Sequence, residues 1–379
     1  MKLATTTLAF CVFGLLALGT VMLYSASMAD KGTRYLTMQL VWCGIGLVSC
    51  VAMASLDYRL LKKLAWPLFG LAVILLGLVL VPRIGLKLNG ARRWFRLPFG
   101  GVRFQPSEVG KLVLIIVVAW YGERYQRKMG TWSKGVMVPG IFIGLLLGLI
   151  FIEPDRGTTI LMGCVVGAML LLAGARLRHL TPPVVLGAVF LAVSILRDPV
   201  RSKRVFAWLN LEQHKMDVGL QANEAMLALG SGGWTGLGLG NSRQKLGFLP
   251  FHNTDFILPI IGEELGLIAT LLVVASFLLI VVSGFYIAQR SGDTFGLLLA
   301  SGITLLIGLQ ALFNIGVVTS VLPNKGLPLP FISYGGSNLL MMLTSVGLLI
   351  SVARRACFTA PAASTAAMEP AGLPSPQFS

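Results

Sequence analysis

Charge is scarce in this chain. Of its 379 residues only 12% are Asp, Glu, Lys or Arg, 55% are hydrophobic, and the mean hydropathy is +0.81. Those values exclude a water-soluble domain of this length and indicate an integral membrane protein. Cysteine is sparse too: Cys11, Cys43, Cys50, Cys164 and Cys357 form no CxxC and no even-numbered framework, so they read as small core residues without disulfides. The histidines His179, His214 and His252 lack any spacing suited to a metal. No GxGxxG follows a strand and no GxxxxGK[ST] is present, which argues against a soluble nucleotide fold. After Arg354-Arg355 charge almost vanishes and apolar bulk is low, so 357–379 is expected to be a disordered tail behind a membrane domain of residues 1–356.

What the chain has in abundance is apolar runs of about 17 to 25 residues, the length that crosses a bilayer as a helix. Ten are expected, at 5–25, 37–56, 64–82, 108–121, 136–152, 158–174, 181–197, 257–288, 295–321 and 337–353. The fold class is therefore an all-α polytopic membrane protein with a large loop, 198–256, between the seventh and eighth spans. The first span imitates a secretory signal, with Lys2 before an apolar run and Ser25-Ala-Ser-Met-Ala29 after it. Its apolar core, Leu8 to Tyr24, exceeds the usual h-region, so it is taken as an uncleaved span.

Ten spans put both termini on one side. The short loops of that side carry Arg59, Lys62, Lys63, Arg124, Arg127, Lys128, Arg176 and Arg178, as cytoplasmic loops should. The opposite side is at least as basic, from Arg83 to Arg103 and from Arg197 to Lys245, so counting alone leaves the orientation open. With the termini inside, basic residues are kept outside against the topological preference, and an anionic ligand or attraction to anionic headgroups would explain them.

Several segments have the residues for chemistry. Leu322-Pro-Asn-Lys-Gly-Leu-Pro-Leu-Pro-Phe-Ile-Ser-Tyr-Gly-Gly-Ser-Asn338 is too rich in Pro and Gly for a helix. Such backbone at a membrane boundary must be buried in protein or line a watery cavity. Asp255 stands where the eighth span begins and suits either a helix cap or an acid–base group. Glu263 and Glu264 follow at the edge of the hydrocarbon, where paired carboxylates face a cavity, a cation or the interface. Ser107 is a candidate cap of the fourth span, Glu108 and Lys111 are spaced to pair on one helical face, and Arg93 beside Trp94 is either a phosphate fork or an aromatic-belt anchor. Residues 219–230 have an amphipathic pattern suited to the membrane surface, and Glu153-Pro-Asp155-Arg156-Gly157 reads as a turn with a local ion pair.

Seven segments occur in order: Gly90-Ala-Arg-Arg-Trp94, Phe104-Gln-Pro-Ser-Glu108 with Lys111, Pro154-Asp-Arg-Gly157, Gly238-Leu-Gly-Asn-Ser-Arg-Gln-Lys245, Thr254-Asp-Phe256, Gly262-Glu-Glu-Leu-Gly266 and Lys325-Gly-Leu-Pro-Leu-Pro-Phe-Ile-Ser-Tyr-Gly-Gly-Ser337. Together they resemble the motifs of the SEDS family of cell-wall glycan polymerases, across essentially the whole membrane region and closer to its division branch than to its elongation branch. The resemblance implies a ten-span protein of the bacterial cytoplasmic membrane, with cytoplasmic termini, that polymerises lipid II at the outer face. It maps the family's essential aspartate onto Asp255 as general base. Arg93, Lys111 and Lys325 are then the candidate partners of the departing pyrophosphate, with Glu108, Glu263, Glu264, Ser333 and Gly335 as further substrate-site candidates. A divalent cation, Mg2+ or Mn2+, could share that role, but no ligand spacing requires one. The expected partners are a class B penicillin-binding protein and other division proteins, and not nucleic acid. A lipid II transporter and a non-catalytic division scaffold are the competing readings.

Overall fold

The computed structural model describes residues 1–88, 91–96, 103–210, 219–245 and 253–359. Asn89, Gly90, His214, Lys215, His252 and residues 360–379 of the expected tail lie outside the described residues.

Ten long helices answer to the ten expected spans: α1 (Lys2–Lys31), α2 (Arg34–Ser55), α3 (Leu60–Leu80), α4 (Pro106–Arg124), α5 (Val138–Ile152), α6 (Arg156–Leu172), α7 (Leu177–Leu196), then α10 (Ile257–Gln289), α11 (Thr294–Val318) and α12 (Gly336–Thr359). Eight of the helices are long and apolar enough to cross a membrane, α5 together with the helical turn Ser133–Met137 that leads into it. The other two depart from that pattern for physical reasons. α6 has only 17 residues, and α4 carries charge at both ends. α4 tolerates that charge because it is central: it packs against α3, α5, α6, α11 and α12, and Leu112 through Ala119 are all buried. α7 is the opposite case, peripheral, with Leu180 its buried residue. α12 runs on through the start of the expected tail.

α1 is built into the bundle. It packs on α2 and α10, and at Gly19 a Cβ would stand 2.7 Å from the Ile332 Cα of the Pro/Gly segment. Opposite this, loops on the face of the termini are stitched by Tyr58 and Lys62 to Asp293, at 2.6 and 2.9 Å, and by Lys62 to Glu123 at 2.7 Å.

On the other face, the basic stretch after α3 is a small antiparallel sheet rather than an irregular loop: β1 (Gly85–Leu88), β2 (Ala91–Arg96) and β3 (Arg103–Phe104), in the order β1-β2-β3. Its register sets Lys87 opposite Arg92 and Arg96 opposite Arg103. Like charges directly opposite are unfavourable in a sheet, so these two pairings cost the strip some stability. The long loop contributes α8 (Pro199–Leu209), capped by Asp198, and α9 (Leu220–Ser231), which lies against α10 and α11.

The overlong eighth span has a structural explanation. α10 breaks at Gly266, where φ is 78°. Residues 267–289 alone give about 34 Å of helix at 1.5 Å per residue, enough for a hydrocarbon core of about 30 Å. The glycine-rich loop fills the break: Leu237 N and Gly238 N donate to the Glu263 and Glu264 carbonyls at 2.9 and 3.0 Å, while Leu267 N donates to Gly233 O at 2.9 Å. The peptide groups that the break would orphan are thus paired. Backbones approach so closely that a Cβ at Gly236 or Gly266 would strike the opposing chain.

Candidate active site

Two roles were open for Asp255, and the structure separates them. α10 begins at Ile257 after Phe256, and no side chain caps it. The half-buried Asp255 carboxylate takes no hydrogen bond from the described residues, so it is free of structural duty. Its backbone is fixed instead. Asn314 Nδ2 donates to the Asp255 carbonyl at 2.8 Å and to the Leu327 carbonyl at 2.7 Å. The Ser333 hydroxyl donates to Thr254 O at 2.5 Å and accepts from Leu329 N at 2.8 Å, and Tyr334 N donates to Asn253 O at 3.0 Å. The Pro/Gly segment is therefore seated against the aspartate's own backbone. Gly326 comes nearest, since a Cβ there would lie 2.5 Å from Asp255 Oδ2. Gly335 N reaches Gln39 Oε1 at 3.4 Å, anchoring the far end of the segment to α2.

The α5–α6 turn forms a second wall. Arg93 reaches over from β2, Nε donating to Glu153 O at 2.8 Å and Nη2 to Pro154 O at 2.5 Å. Carbonyl acceptors are neutral, so the charge of the guanidinium is not cancelled by them. Asp155 caps α6 by accepting from Thr158 N at 3.2 Å and also accepts from Gln105 Nε2 at 3.3 Å. The cap position of α4 is Gln105, two residues before the expected Ser107, because Pro106 suits the first helical position. Ser107 Oγ instead accepts from Gln105 Nε2 at 2.9 Å.

Burial, and then the negative charge of Asp155, push the Asp255 carboxyl up to about 6. The same two causes, opposed by Arg93, push Glu153 up to about 9, so its fully buried carboxyl is protonated at neutral pH. Lys325 is lowered by burial and by the charge of Arg156.

The remaining candidates lie inside the protein scaffold. Lys111 Nζ is 2.8 Å from Glu108 Oε2 and donates to Gln310 Oε1 at 3.0 Å, while Asn338 Nδ2 donates to Glu108 at 2.9 Å. Gln310 in turn donates to the Pro328 carbonyl at 2.9 Å. Glu264 accepts from Ser25, Gly240 N and Lys245 Nζ, the last at 2.8 Å, and Glu263 accepts from the Ser242 hydroxyl at 2.5 Å and Arg243 N at 2.9 Å. Both carboxylates hold the glycine-rich loop in the α10 break. The structure thus brings Asp255, Lys325, Ser333 and the 153–155 turn with Arg93 to one site, with Glu108 and Lys111 connected to it through Gln310. Gln310 and Asn314 escaped the sequence reading. Their signal was two amides four residues apart, hence on one face of an otherwise apolar span. Among the described residues no group of three or more His, Cys, Asp or Glu side chains is placed to hold a metal ion.

Comparison with known proteins places the chain in a family. A family model described as cell cycle protein, covering FtsW, RodA and SpoVE, matches residues 6–357. The probable peptidoglycan glycosyltransferase FtsW of Trichlorobacter lovleyi is 40% identical over 347 residues, 90% of this chain and 91% of that one. Its namesake from Coxiella burnetii is 39% identical over 352 residues, covering 90% and 94%. A solved peptidoglycan synthase complex that coordinates polymerization and crosslinking contains a chain superposing with a TM-score of 0.78 at 29% identity, covering 92% of this chain and 97% of that one. The crystal structure of the rod shape determining protein RodA of Thermus thermophilus gives 0.69 at 28% identity, covering 92% and 95%. Matched along nearly its whole length in sequence and in fold, the chain belongs to the FtsW/RodA/SpoVE family of cell cycle proteins.

Proposed function

We propose that this multi-pass membrane protein is a peptidoglycan glycosyltransferase of cell division that polymerises lipid II, with Asp255 as its general base. The enzyme class and the division role follow from the curated relatives. The observation that supports the base is the Asp255 carboxylate itself, uncommitted to any described partner while three hydrogen bonds fix the backbone around it. In the reaction the 4-hydroxyl oxygen of the acceptor sugar bonds to the anomeric carbon of the donor. The bond to pyrophosphate breaks with its electron pair leaving on undecaprenyl pyrophosphate, and Asp255 takes the hydroxyl proton. Arg93 and Lys325 offset the charge of the leaving group. Glu108, Lys111, Glu263, Glu264 and Ser333 act as positioning residues through the bonds described above. The site face lies outside the cytoplasmic membrane, with both termini in the cytoplasm. A class B penicillin-binding protein is the partner, in keeping with the polymerization and crosslinking complex among the structural neighbours.

Purified protein, alone and with such a partner, incubated with labelled lipid II is expected to yield a ladder of glycan strands on a gel. Movement of lipid II between leaflets without strands would favour a transporter, and neither activity would favour a scaffold.

Two further results are expected. Gly326→Ala would drive a methyl group into Asp255 Oδ2 and displace the base, with a fall of about 100-fold in polymerisation rate, the scale of a misplacement near 1 Å. Gly326 is exposed, so the unfolding temperature should stay unchanged. An undiminished rate would place the reacting hydroxyl away from this carboxylate. For pH, the raised value of about 6 makes Asp255 proton-bound below that pH, so the rate falls by about tenfold per unit on further acidification. Asp155→Asn keeps a capping side chain but removes the neighbouring negative charge. It should lower the Asp255 value and move the acid limb to lower pH, and a pH–rate profile checks this.

A further inference from the structure

Beside the Asp255 site, a cavity of about 330 Å³ opens between α6, α7 and the start of α8, lined by Arg156, Phe190, Val193, Ser194, Arg197 and Asp198. Its chemistry is divided. At one end are three arginines, Arg156, Arg197 and Arg201, the last 3.1 Å from Asp198. Asp198 is already engaged, because Oδ1 caps α8 by accepting from Val200 N at 3.1 Å and Arg201 N at 3.3 Å. One carboxylate thus faces three guanidinium groups, and two positive charges are left over among the described residues. Arg156 is held in place by Nη1 donating to the Ser194 carbonyl at 3.0 Å and by the Phe151 ring 5.1 Å from its centre, yet its Nε is buried with no hydrogen-bond partner. A buried unpaired guanidinium nitrogen is costly unless a ligand supplies the acceptor.

The other end is apolar. Leu186, Phe190 and Val193 are exposed and recur at the spacing of one helical face that ends at Arg197. This stripe descends along α7, the least buried of the membrane-crossing helices. The cationic end, in turn, borders the catalytic centre. The charge of Arg156 reaches Lys325, the residue before the Gly326 that abuts Asp255.

Resting on the glycosyltransferase reading, we propose that this cavity receives the pyrophosphate and adjoining isoprenoid units of the lipid-linked donor, with Arg156 and Arg197 joining Arg93 and Lys325 as partners of the anion and the chain along Phe190 and Val193. Guanidinium forks suit the oxygens of a pyrophosphate, and the two spare positive charges match its anionic character. The apolar stripe suits a single long chain lying against one helix.

The test places a photoreactive benzoylphenylalanine at position 190 of the full chain in phosphatidylcholine nanodiscs, with undecaprenyl pyrophosphate as the probe and intact mass as the readout. The expected result is an adduct of polyprenyl mass that excess phosphatidylglycerol does not suppress. Arg156→Gln with Arg197→Gln should reduce it by about tenfold or more, as the loss of charge-assisted hydrogen bonds implies. Arg156→Lys with Arg197→Lys, which retains the charge, should preserve most of it and shows that loss in the glutamine pair is not misfolding. Absence of the adduct, equal labelling by phosphatidylglycerol, or an unchanged yield in the glutamine pair would each overturn the assignment. Protein that captures the probe here but makes no strands from lipid II would refute the enzymatic reading and leave the site standing. Protein that makes strands without capture would do the reverse.

Discussion

Replacing Lys111 with Met is expected to destabilise the folded bundle by about 3–5 kcal/mol, the penalty for leaving a buried carboxylate without its counter-charge. Glu108 is 4% exposed and Lys111 1%, so water cannot take over the lost interaction. The damage spreads beyond the pair. Gln310 loses the donor to its Oε1, and the same Gln310 ties α11 to the Pro328 carbonyl. One turn further along α11, Asn314 holds both Leu327 and Asp255 through their carbonyls. The ion pair therefore supports, through one face of α11, the segment that carries Asp255, the proposed base. Stability and glycan synthesis should fall together. A double variant, Glu108→Gln with Lys111→Met, removes both charges and should unfold at a higher temperature than Lys111→Met alone. Thermal unfolding followed by tryptophan fluorescence in detergent gives the ordering, and equal stability of the single and double variants would show that the pair is not structural.

Asp255→Asn carries the largest expected effect on catalysis. General-base removal costs about 10²–10⁴ in rate, and nothing else in the described site replaces the group. Asp155 is occupied as the cap of α6, and Glu153 is protonated at neutral pH. The amide has the size of the carboxylate, and the bonds that fix this region involve the Asp255 carbonyl and the backbone of Asn253 and Thr254 rather than the Asp255 carboxylate. Folding, membrane insertion and unfolding temperature should match those of the parent protein. A loss of activity accompanied by loss of fold would assign Asp255 a structural role instead.

The number and order of the spans were legible in the sequence, because apolar runs of bilayer length have few alternatives in a membrane. The pairing of Glu108 with Lys111 was legible as well, since three residues on a helix fix two side chains on one face. What escaped was long-range. The α10 break needs only one glycine in an unbroken apolar run, and it is stabilised by a loop about 30 residues earlier in the chain that supplies the missing hydrogen bonds. Of the cavity, cation or interface open to Glu263 and Glu264, the cation holds for Glu264, as Lys245, but nothing in the sequence showed that both carboxylates would hold that loop. The three-stranded sheet was hidden because its strands are short and basic rather than alternating in polarity. Whether Asp255 caps its helix was ambiguous because a cap and a base share the same position in sequence. Only the observed start of α10 frees the carboxylate from capping.

The most direct test of the account is the initial rate of glycan polymerisation from labelled lipid II, measured side by side for the parent protein and Asp255→Asn in the same bilayer at neutral pH. The account predicts strands from the parent and a rate lower by about 10²–10⁴ from a variant of unchanged unfolding temperature. Comparable strands from the correctly folded variant would contradict it.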